Sequence, residues 1–305
     1  MAELTIVIPA RNEMFLARTI EDLLANIRGD TEILAICDGY WPTPEVKDHP
    51  RVNLIHYTTP QGQRQGTNAG ARLSQARYLM KVDAHCAFDE GFDVNLMEAA
   101  KELGPEVTQV PRMYNLHAFD WVCRQGHRRY QGPSGPCTEC GEPTTREVVW
   151  KPRLSRRTDF ARFDRSMHFQ YWREYEKRPE AKGEIADLLC CVGAAWFMPL
   201  ERYWQLDGMD ERHGSWGQMG VELACKSWLS GGRQVVNKRT WFAHMFRTQG
   251  SDFGFPYKIS ATEQEEARKH SRWLWEGGNW PKAKRSLQWL VDQFAPVPEW
   301  HVSPA

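Results

Sequence analysis

Asp83 and His85 are the residues whose types and spacing most directly suggest chemistry. They follow the largely apolar run Tyr78–Val82, which predicts a buried strand. Side chains two residues apart in an extended segment project to one side, so this carboxylate and imidazole can share a divalent cation. The carboxyl end of a strand is also where α/β proteins bind ligands. Taken alone, Asp83 could equally cap a turn. The prediction of a metal site therefore depends on residues further downstream.

A second cluster of candidate site residues lies between positions 193 and 247. Its members are, in order, Gly193-Ala194-Ala195-Trp196-Phe197-Met198, Trp216-Gly217, Glu222, Trp228, Gly231-Gly232 and His244-Met245-Phe246-Arg247. In isolation, His244 could be a core histidine, since it follows Trp241-Phe242-Ala243. Glu222 precedes Lys226 by four residues on a predicted helix and could form an ordinary surface ion pair.

The third group of candidate ligands is a cysteine-rich set in the middle of the chain. Cys123-x3-His127 and Cys137-x2-Cys140 form two pairs within a segment rich in glycine and proline. Three thiolates and one imidazole at this spacing are typical of tetrahedral Zn²⁺, with His117 as a substitute ligand. The alternative is a cysteine-bearing loop with a chance histidine. A metal would supply folding energy to a segment with little core of its own.

The elements that must position these residues alternate between strands and helices in the first third of the chain. Strands are predicted at 4–8, 32–37, 52–56 and 78–82, and helices at 16–27, 68–75 and 92–103. This alternation indicates an α/β fold with a mostly parallel, Rossmann-like sheet.

Further along the chain the rhythm changes. Residues 112 to about 164 are rich in Arg, Gly, Pro and Cys and suggest an inserted loop or small domain. Regular structure is predicted again at 185–198, and the segment 261–294 is predicted to be helical. We therefore divide the chain into four parts, 1–111, 112–165, 166–260 and 261–305.

Composition indicates a globular protein, with 41% hydrophobic and 26% charged residues and a formal net charge of zero. The charge is uneven, because residues 112–173 contain 12 Lys or Arg against 6 Asp or Glu. That surplus is either a solvated basic face or a surface for a polyanion. No apolar run reaches the roughly 18 residues of a membrane span. With no leader and no secreted cysteine pattern, we expect a reduced, cytoplasmic protein without membrane partners.

Taken in order, these blocks resemble the GT-A glycosyltransferases of the family 2 kind, and most closely the polypeptide N-acetylgalactosaminyltransferases. Those enzymes carry a similar Asp-Ser-His-Cys metal motif, a Trp-Gly-Gly-Glu-Asn-x-Glu block that ends in Trp-x-x-Gly-Gly, and a Gly-His-Val-Phe-Arg motif. The resemblance covers residues 4–111 and about 190–260. It implies a GT-A fold in which 1–111 is the nucleotide-sugar-binding half and 166–260 the acceptor and catalytic half. The cysteine-rich insert lies outside it, and none of the 305 residues resembles the family's lectin domain.

The resemblance also implies a site. Asp83, His85 and His244 would hold Mn²⁺ or Mg²⁺, and two histidines favour Mn²⁺. Such an ion would stabilise the diphosphate that leaves as a UDP-sugar donates its sugar. The residues expected to bind the nucleotide-sugar are Pro9, Ala10, Glu13, Asp38, Arg64, Asp83, Trp216, Arg247 and Tyr257. For Arg64, an exposed arginine in a polar loop is an equally good interpretation.

The expected catalytic residues are Asp83, Glu222 and Trp228. Glu222 would be the general base that deprotonates the acceptor hydroxyl, and Trp228 would help to wall the sugar and acceptor pocket. Met219 stands where the similar enzymes have the first glutamate of their block.

The acceptor is argued from the basic segment. Its arginines could grip a phosphate backbone while Tyr130, Phe160 and Phe163 stack on bases. The arginines concerned are Arg124, Arg128, Arg129, Arg153, Arg156, Arg157, Arg162 and Arg165. Similar phage-encoded enzymes modify DNA, so the favoured acceptor is a 5-hydroxymethyl-pyrimidine such as 5-hydroxymethylcytosine, in a host cytoplasm if the enzyme is phage-encoded. The alternatives are a protein Ser/Thr O-glycosyltransferase and, from another class, a non-catalytic nucleotide- and zinc-binding module.

Overall fold

The computed structural model describes residues 2–247 and 252–300 of the 305-residue chain. Predicted ranges that include residues 1, 248–251 or 301–305 lie partly outside the described residues. The strands are β1 Leu4–Ala10, β2 Thr31–Asp38, β3 Val52–Tyr57, β4 Tyr78–Val82, β5 Cys86–Phe88, β6 Val107–Cys123, β7 Arg128–Tyr130, β8 Thr144–Arg157, β9 Ala161–Phe163, β10 Phe169–Tyr171, β11 Ile185–Asp187, β12 Ala195–Pro199 and β13 Arg233–His244. The α-helices are α1 Leu16–Asn26, α2 Gln63–Leu73, α3 Phe92–Leu103, α4 Leu200–Gln205, α5 Met219–Leu229, α6 Ala261–Ser271 and α7 Leu287–Gln293.

The first third of the chain forms the parallel part of the main sheet, in the order β4-β1-β2-β3. This confirms the predicted alternation of strands and helices. Helix α2 packs very closely on β1, since a Cβ added at Gly70 would lie 2.4 Å from Cγ1 of Val7. Because these strands are parallel, their carboxyl ends meet at one edge and bring Ala10, Asp38 and Asp83 to the same side of the sheet.

The rest of the main sheet is mixed, and the prediction of a mostly parallel sheet is wrong there. β12 runs antiparallel to both β4 and β6, while β13 is parallel to β6 and antiparallel to β5 and β11. A parallel connection needs a crossover, usually a helix, and no helix lies between β6 and β8. The chain instead turns back on itself after β6.

The cysteine-rich segment is an extension of this sheet. β6 is 17 residues long and pairs antiparallel with β8, which is 14 residues long, and β7 adds a short third strand at the tip. The boundary predicted at residue 112 therefore falls inside β6. The segment is a long β-hairpin whose base belongs to the sheet core, in place of the inserted loop that the composition suggested.

The C-terminal part packs behind the sheet. α6 continues into a π-helical turn at Arg272–Glu276, and α7 packs near α5. Trp228 of α5 is buried here, with its ring 5.6 Å from that of Phe294 and its Nε1 donating to the Leu188 carbonyl at 3.0 Å. Within the part of the chain that the structure describes, every helix is too short or too polar to span a bilayer.

Candidate active site

A cleft of about 380 Å³ lies at the carboxyl ends of β1, β2 and β4. Most of the predicted nucleotide-sugar and metal residues line it, and the structure thereby brings together two distant parts of the sequence. These residues are Pro9, Ala10, Glu13, Asp38, Asp83, His85, Trp216, His244, Arg247 and Tyr257. Three predicted site residues, Arg64, Glu222 and Trp228, are absent from its lining.

Asp83, His85 and His244 converge because β13 ends against β5. In that antiparallel pair His244 lies opposite Cys86, which places it beside the Asp83-Ala84-His85 turn. Nε2 of His85 is 3.1 Å from Nε2 of His244, and Nε2 of His244 is 3.4 Å from Oδ2 of Asp83. Neighbouring ligands of an octahedral ion with bonds of 2.0–2.1 Å would be about 3 Å apart, so this donor set fits a divalent cation.

The protonation states of these side chains also favour binding of a divalent cation. Burial alone would raise the pKa of Asp83, but Lys81, His244 and His85 together hold it below its ordinary value. Lys81 is itself buried, donating to Asp83 and, at 3.0 Å, to the Gly193 carbonyl. Burial lowers the pKa of His244 to about 4 despite the nearby Asp83 carboxylate. At neutral pH the site therefore presents an ionised carboxylate and an unprotonated imidazole, the forms that bind metals.

A second wall of the cleft is built around Glu13 and Arg247. Nη2 of Arg247 lies 2.6 Å from Oε2 of Glu13, and both side chains are almost fully buried. Nδ1 of His85 is 3.4 Å from the same Glu13 oxygen. Glu13 therefore pairs with a cation and lies beside a candidate metal ligand.

The Asp38 side chain forms hydrogen bonds with the backbone of the neighbouring loop. Its two carboxylate oxygens accept hydrogen bonds from the amides of Gln61, at 2.5 Å, and Gly62, at 2.9 Å. Gly62 has φ +97° and lies against Ser215, so the Asp38 carboxylate fixes the entry to α2 at the cleft. The side chain lines the cleft, but its oxygens already have these partners.

Glu222 does not fit the expected role of a base that reaches the acceptor. Its side chain is fully buried, and it accepts from Arg64 Nε at 2.9 Å, Lys226 Nζ at 2.9 Å and the Asp210 amide at 2.6 Å. Burial would raise the pKa of Glu222, but Lys226, His213 and Arg64 lower it to about 2. A carboxylate so stabilised and so far from solvent is a poor proton acceptor. Neither is it the surface ion pair that the spacing to Lys226 allowed.

The expected roles of Arg64, as a phosphate contact or as an exposed arginine, are also wrong. The side chain is 1% exposed and also donates to the carbonyls of Gly214 and Gly217. It therefore holds the 214–217 loop beside the cleft and is neither a phosphate contact nor an exposed arginine. Trp228 is likewise a core residue behind α5, as its contacts with Phe294 and Leu188 show.

A polar core below α5 contains Asp210, His213 and His270, whose possible ligand atoms lie within 4.8 Å of one another. Arg212 donates twice to the Asp210 carboxylate, and His270 Nε2 is 2.9 Å from it. His213 Nε2 lies 2.9 Å from the Ser271 hydroxyl, and burial lowers the pKa of His213 to about 4. With these partners, the group is a hydrogen-bonded junction between the 210–213 turn and α6.

Several lining residues escaped sequence reasoning. Some lie between the residues of the motifs and others lie outside them, and the C-terminal helix α6 contributes two, Gln264 and Arg268, one turn apart. The others are Arg11, Gln63, Ala84, His168, Phe169, Tyr171, Cys191, Val192, Ser215, Gln218, Gly220, Val221 and Phe255. The density of aromatic residues at 169–172 was the one available signal. Met219, where the similar enzymes have a glutamate, lines the cleft as well.

The cysteine-rich hairpin tip brings its four predicted ligands together. Sγ of Cys140 is 3.7 Å from Sγ of Cys123, and Sγ of Cys137 is 3.6 Å from Nδ1 of His127. All four ligand atoms lie within 4.8 Å of one another. The amides of Glu139 and Cys140 point to Cys137 Sγ and lower the pKa of that thiol to about 6. His117 instead bonds to Asp120 at 2.6 Å and is not part of the set.

Comparison with known protein families identifies the family of this chain. The sequence model of the glycosyl transferase family 2 matches residues 5–177, more than half of the chain. The protein therefore belongs to this family, and the GT-A type of α/β fold expected from the sequence is confirmed.

Individual relatives are more distant. The chain is 23% identical over 273 residues to a Drosophila melanogaster protein named as a polypeptide N-acetylgalactosaminyltransferase 13, covering 84% of this chain and 43% of that one. The crystal structure of GalNAc-T7 with UDP, GalNAc and Mn²⁺ superposes with a TM-score of 0.64 at 16% identity, covering 98% of this chain and 53% of that one. Residues 1–349 of S. aureus TarS match with a TM-score of 0.45 at 10% identity, covering 80% and 60%. The chain thus spans about half the length of the first two of these proteins.

Proposed function

We propose that this protein is a metal-dependent glycosyltransferase that moves a sugar from a UDP-sugar to a hydroxyl acceptor. The observation that carries the proposal is the convergence of Asp83, His85 and His244 at the sheet edge, beside a cleft large enough for a nucleotide. Membership of glycosyl transferase family 2 supports the reaction class. The GalNAc-T7 structure, which contains UDP and Mn²⁺, supports a uridine diphosphate donor and a divalent ion.

In this proposal Asp83, His85 and His244 hold Mn²⁺, or Mg²⁺ as an alternative. The ion would supply charge stabilisation to the departing diphosphate. Lys81 keeps the Asp83 carboxylate ionised, and the buried imidazole of His244 stays neutral. Arg247, oriented by Glu13, adds a cation for the diphosphate, while Asp38 holds the 61–62 turn that borders the nucleoside. Trp216 and Tyr257 complete the aromatic walls.

The described lining offers no free carboxylate as a general base. Glu13 is paired with Arg247, Asp38 with two backbone amides, and Asp83 with Lys81 and His244. We therefore propose that a leaving-group phosphate oxygen of the donor receives the acceptor proton, and that Glu222 acts by holding Arg64 and the 214–217 loop.

The favoured acceptor is a 5-hydroxymethyl-pyrimidine of DNA, and the support is the position of the basic strand β8. The register runs from His244 to Asn115 of β6 and from Asn115 to Arg153 of β8. With strands about 4.8 Å apart, the backbone of Arg153 in the basic stretch 151–157 lies about 10 Å from that of His244. Within the described residues, Lys151, Arg153 and Arg156 form no ion pair, so their charges remain available to phosphates.

Base stacking must come from residues other than those expected. Phe160 and Phe163 are core residues, 3% and 0% exposed, while Tyr130 is exposed but carries Arg153 over its ring at 4.8 Å. A DNA acceptor would place the reaction in a cytoplasm, that of the host if a phage encodes the enzyme.

A protein Ser/Thr hydroxyl is the second candidate acceptor, and the names of the relatives favour it. The discriminating experiment incubates the enzyme, Mn²⁺ and pooled UDP-sugars with 5-hydroxymethylated DNA, with unmodified DNA, and with Ser/Thr-rich peptides. A mass gain of one sugar on hydroxymethylated nucleosides alone supports the DNA acceptor. A gain on peptides alone overturns it, and no UDP release in any arm overturns the proposed activity.

We also propose that Cys123, His127, Cys137 and Cys140 hold a structural Zn²⁺. Tetrahedral zinc with bonds of about 2.3 Å to sulfur and about 2.05 Å to nitrogen sets S–S edges of about 3.8 Å and S–N edges of about 3.6 Å. The two separations measured across this set, 3.7 Å and 3.6 Å, fit those edges. Glu139 lies 3.8 Å from Nε2 of His127 and can orient the ring from its other nitrogen.

A further inference from the structure

The hairpin tip that carries the candidate zinc ligands contacts a segment of the donor cleft. That segment comprises residues 252–257, and its link to the tip is a hydrogen bond. The amide of Ser134, three residues before Cys137, donates to Oδ1 of Asp252 at 2.9 Å. The tip between residues 124 and 143 is largely exposed, so few buried contacts of its own hold Ser134 in place.

A small apolar core continues the link below this hydrogen bond. Phe253 is 6% exposed, and its ring centroid lies 5.5 Å from that of Phe119 on β6. Phe119 in turn packs edge-on against Trp121 at 5.6 Å. Nε1 of Trp121 donates to the carbonyl of Gly132 at 3.0 Å. Because Gly132 belongs to the hairpin tip, this apolar core also connects the tip to Phe253.

The opposite side of residues 252–257 faces the cleft. The carbonyl of Gly254 accepts from Nη1 of Arg247 at 3.1 Å, which helps to aim the proposed diphosphate contact. The Phe255 ring lies 5.2 Å from that of Trp216, and Tyr257 lies under the Arg11 guanidinium at 4.8 Å. One short segment therefore contacts the hairpin tip on one side and lines the donor cleft on the other.

We infer that Zn²⁺ bound by Cys123, His127, Cys137 and Cys140 positions the donor-cleft wall at residues 252–257 through Ser134 and Asp252. The metal substitutes for the core that the tip lacks, and ordering the tip fixes the Ser134 amide. The fixed amide holds Asp252, and the segment then presents Gly254, Phe255 and Tyr257 to the cleft. Asp252 is thus a positioning residue. The inference rests on the proposed function only in taking the cleft to bind UDP.

The first arm of the test measures the metal itself. The purified 305-residue chain, dialysed against metal-free buffer, is analysed for zinc, with Cys137→Ser as the ligand variant. Thr138→Ala is the matched control, since Thr138 is an exposed non-ligand on the same turn. We expect about one Zn²⁺ per chain in the wild type and control, and strong loss in Cys137→Ser. A wild-type protein with far less than one Zn²⁺ that also fails to take up added Zn²⁺ overturns the inference.

The second arm measures the coupling without depending on transfer activity. Amide hydrogen exchange is followed in the peptide that covers residues 252–257. We expect exchange at least about fivefold faster in Cys137→Ser and in Asp252→Ala than in the wild type. Asp252→Asn keeps an oxygen acceptor for Ser134 and should restore slow exchange. If Cys137→Ser fails to fold, the Asp252 pair still decides the coupling, because neither variant removes a zinc ligand.

The third arm measures UDP affinity by calorimetry in Mn²⁺. Asp252→Ala should bind UDP about 2- to 10-fold more weakly, as expected for the loss of one solvent-accessible hydrogen bond, and should retain its zinc. Asp252→Asn should bind nearly as the wild type does. Unchanged exchange and unchanged affinity in Asp252→Ala overturn the coupling. A wild type that binds no UDP refutes the proposed function, while the first two arms still decide the present inference.

Discussion

Replacing Glu222 by glutamine removes a negative charge from a fully buried cluster that also holds Arg64, Lys226 and His213. The substitution keeps the shape of the side chain and one carbonyl acceptor. It leaves the two permanent cations with no carboxylate partner between them. We expect the variant to be less stable than the wild type and to retain most of its activity per folded molecule.

The magnitude follows from the pKa of Glu222, which the cluster lowers from 4.5 to about 2. Each pKa unit corresponds to about 1.4 kcal/mol, so the charge contributes about 3 kcal/mol to the free energy of unfolding at neutral pH. That figure agrees with the roughly 3–5 kcal/mol lost when one partner of a buried ion pair is removed. For a chain of 305 residues, with an unfolding entropy of about 2.1 cal/mol/K per residue, it corresponds to a fall in Tm of about 5 °C.

The sign of the pH dependence provides an internal check. The pKa of Glu222 is lower in the folded state, so its contribution is complete above pH 4.5 and is lost as the pH falls towards 2. The stability difference between wild type and variant should therefore shrink from about 3 kcal/mol at pH 7 to about 1 kcal/mol at pH 3.

The assay compares urea unfolding with kcat/KM of the folded protein for wild type, Glu222→Gln and Glu201→Gln. Glu201 is exposed on α4, so its substitution should change stability by about 0.5 kcal/mol or less. Loss of a general base lowers the rate by about 10²- to 10⁴-fold. A fall of that size in Glu222→Gln with unchanged stability would refute the structural role and restore Glu222 as the base.

Three other substitutions test separate parts of the proposal. Asp83→Asn should lower turnover of the UDP-sugar by about 10²-fold or more while the far-UV circular dichroism is unchanged, because a metal ligand is lost; activity equal to wild type at all Mn²⁺ concentrations would exclude the metal assignment. His213→Asn should reduce the fall in Tm between pH 7 and pH 4: burial lowers the pKa of His213 from 6.5 to about 4, so the unfolded state binds a proton first and stability is lost as the pH falls through that range. An identical pH slope in the variant would contradict this. Arg156→Ser should weaken DNA binding and reduce the slope of log K against log salt by about 1, and a slope unchanged from wild type would mean that this strand does not contact phosphates.

The sequence was sufficient for the elements that depend on local patterns. The parallel strands and the helices around them follow from continuous apolar runs and helical spacing. Helix α3 was predicted with its observed bounds, whereas α2 begins at Gln63, earlier than the predicted start at residue 68. The meeting of Asp83, His85 and His244 was expected from the resemblance to the GT-A glycosyltransferases, and that of the four hairpin ligands from their spacing. The strand, helix and hairpin-ligand signals survive because each fixes residue types at short separations along the chain, whereas His244 lies far from Asp83 in the sequence and was expected beside it only from the resemblance.

The sequence was insufficient where long-range pairing decides the structure. The antiparallel β12 and the β6–β8 hairpin depend on which strands meet across more than 20 residues, and the Arg- and Gly-rich composition of 112–165 obscured two long strands. Trp228 and Phe160 were assigned to a cleft and to a stacking surface because aromatic residues serve cores and binding sites equally well. Only the packing of α5 against the C-terminal segment showed that Trp228 faces inward.

The misassignment of Glu222 bears directly on the chemistry. An acidic residue at a helical spacing from a lysine gives no indication of which way it points, and the structure turns it away from the cleft, towards Arg64. The first turn of α5 instead presents Met219, Gly220 and Val221 to the cleft, none of which can take a proton. A Cβ on Gly220 would lie 1.7 Å from the carbonyl oxygen of Cys191, so position 220 has no room for any residue larger than glycine in the same conformation. If Met219→Glu, which places a carboxylate in the lining, leaves kcat unchanged, the acceptor proton must be leaving by another route, as the proposed transfer to the donor phosphate requires. A rise in kcat of about 10-fold or more would instead show that proton removal limits the rate and that this chain lacks a base the cleft can accommodate.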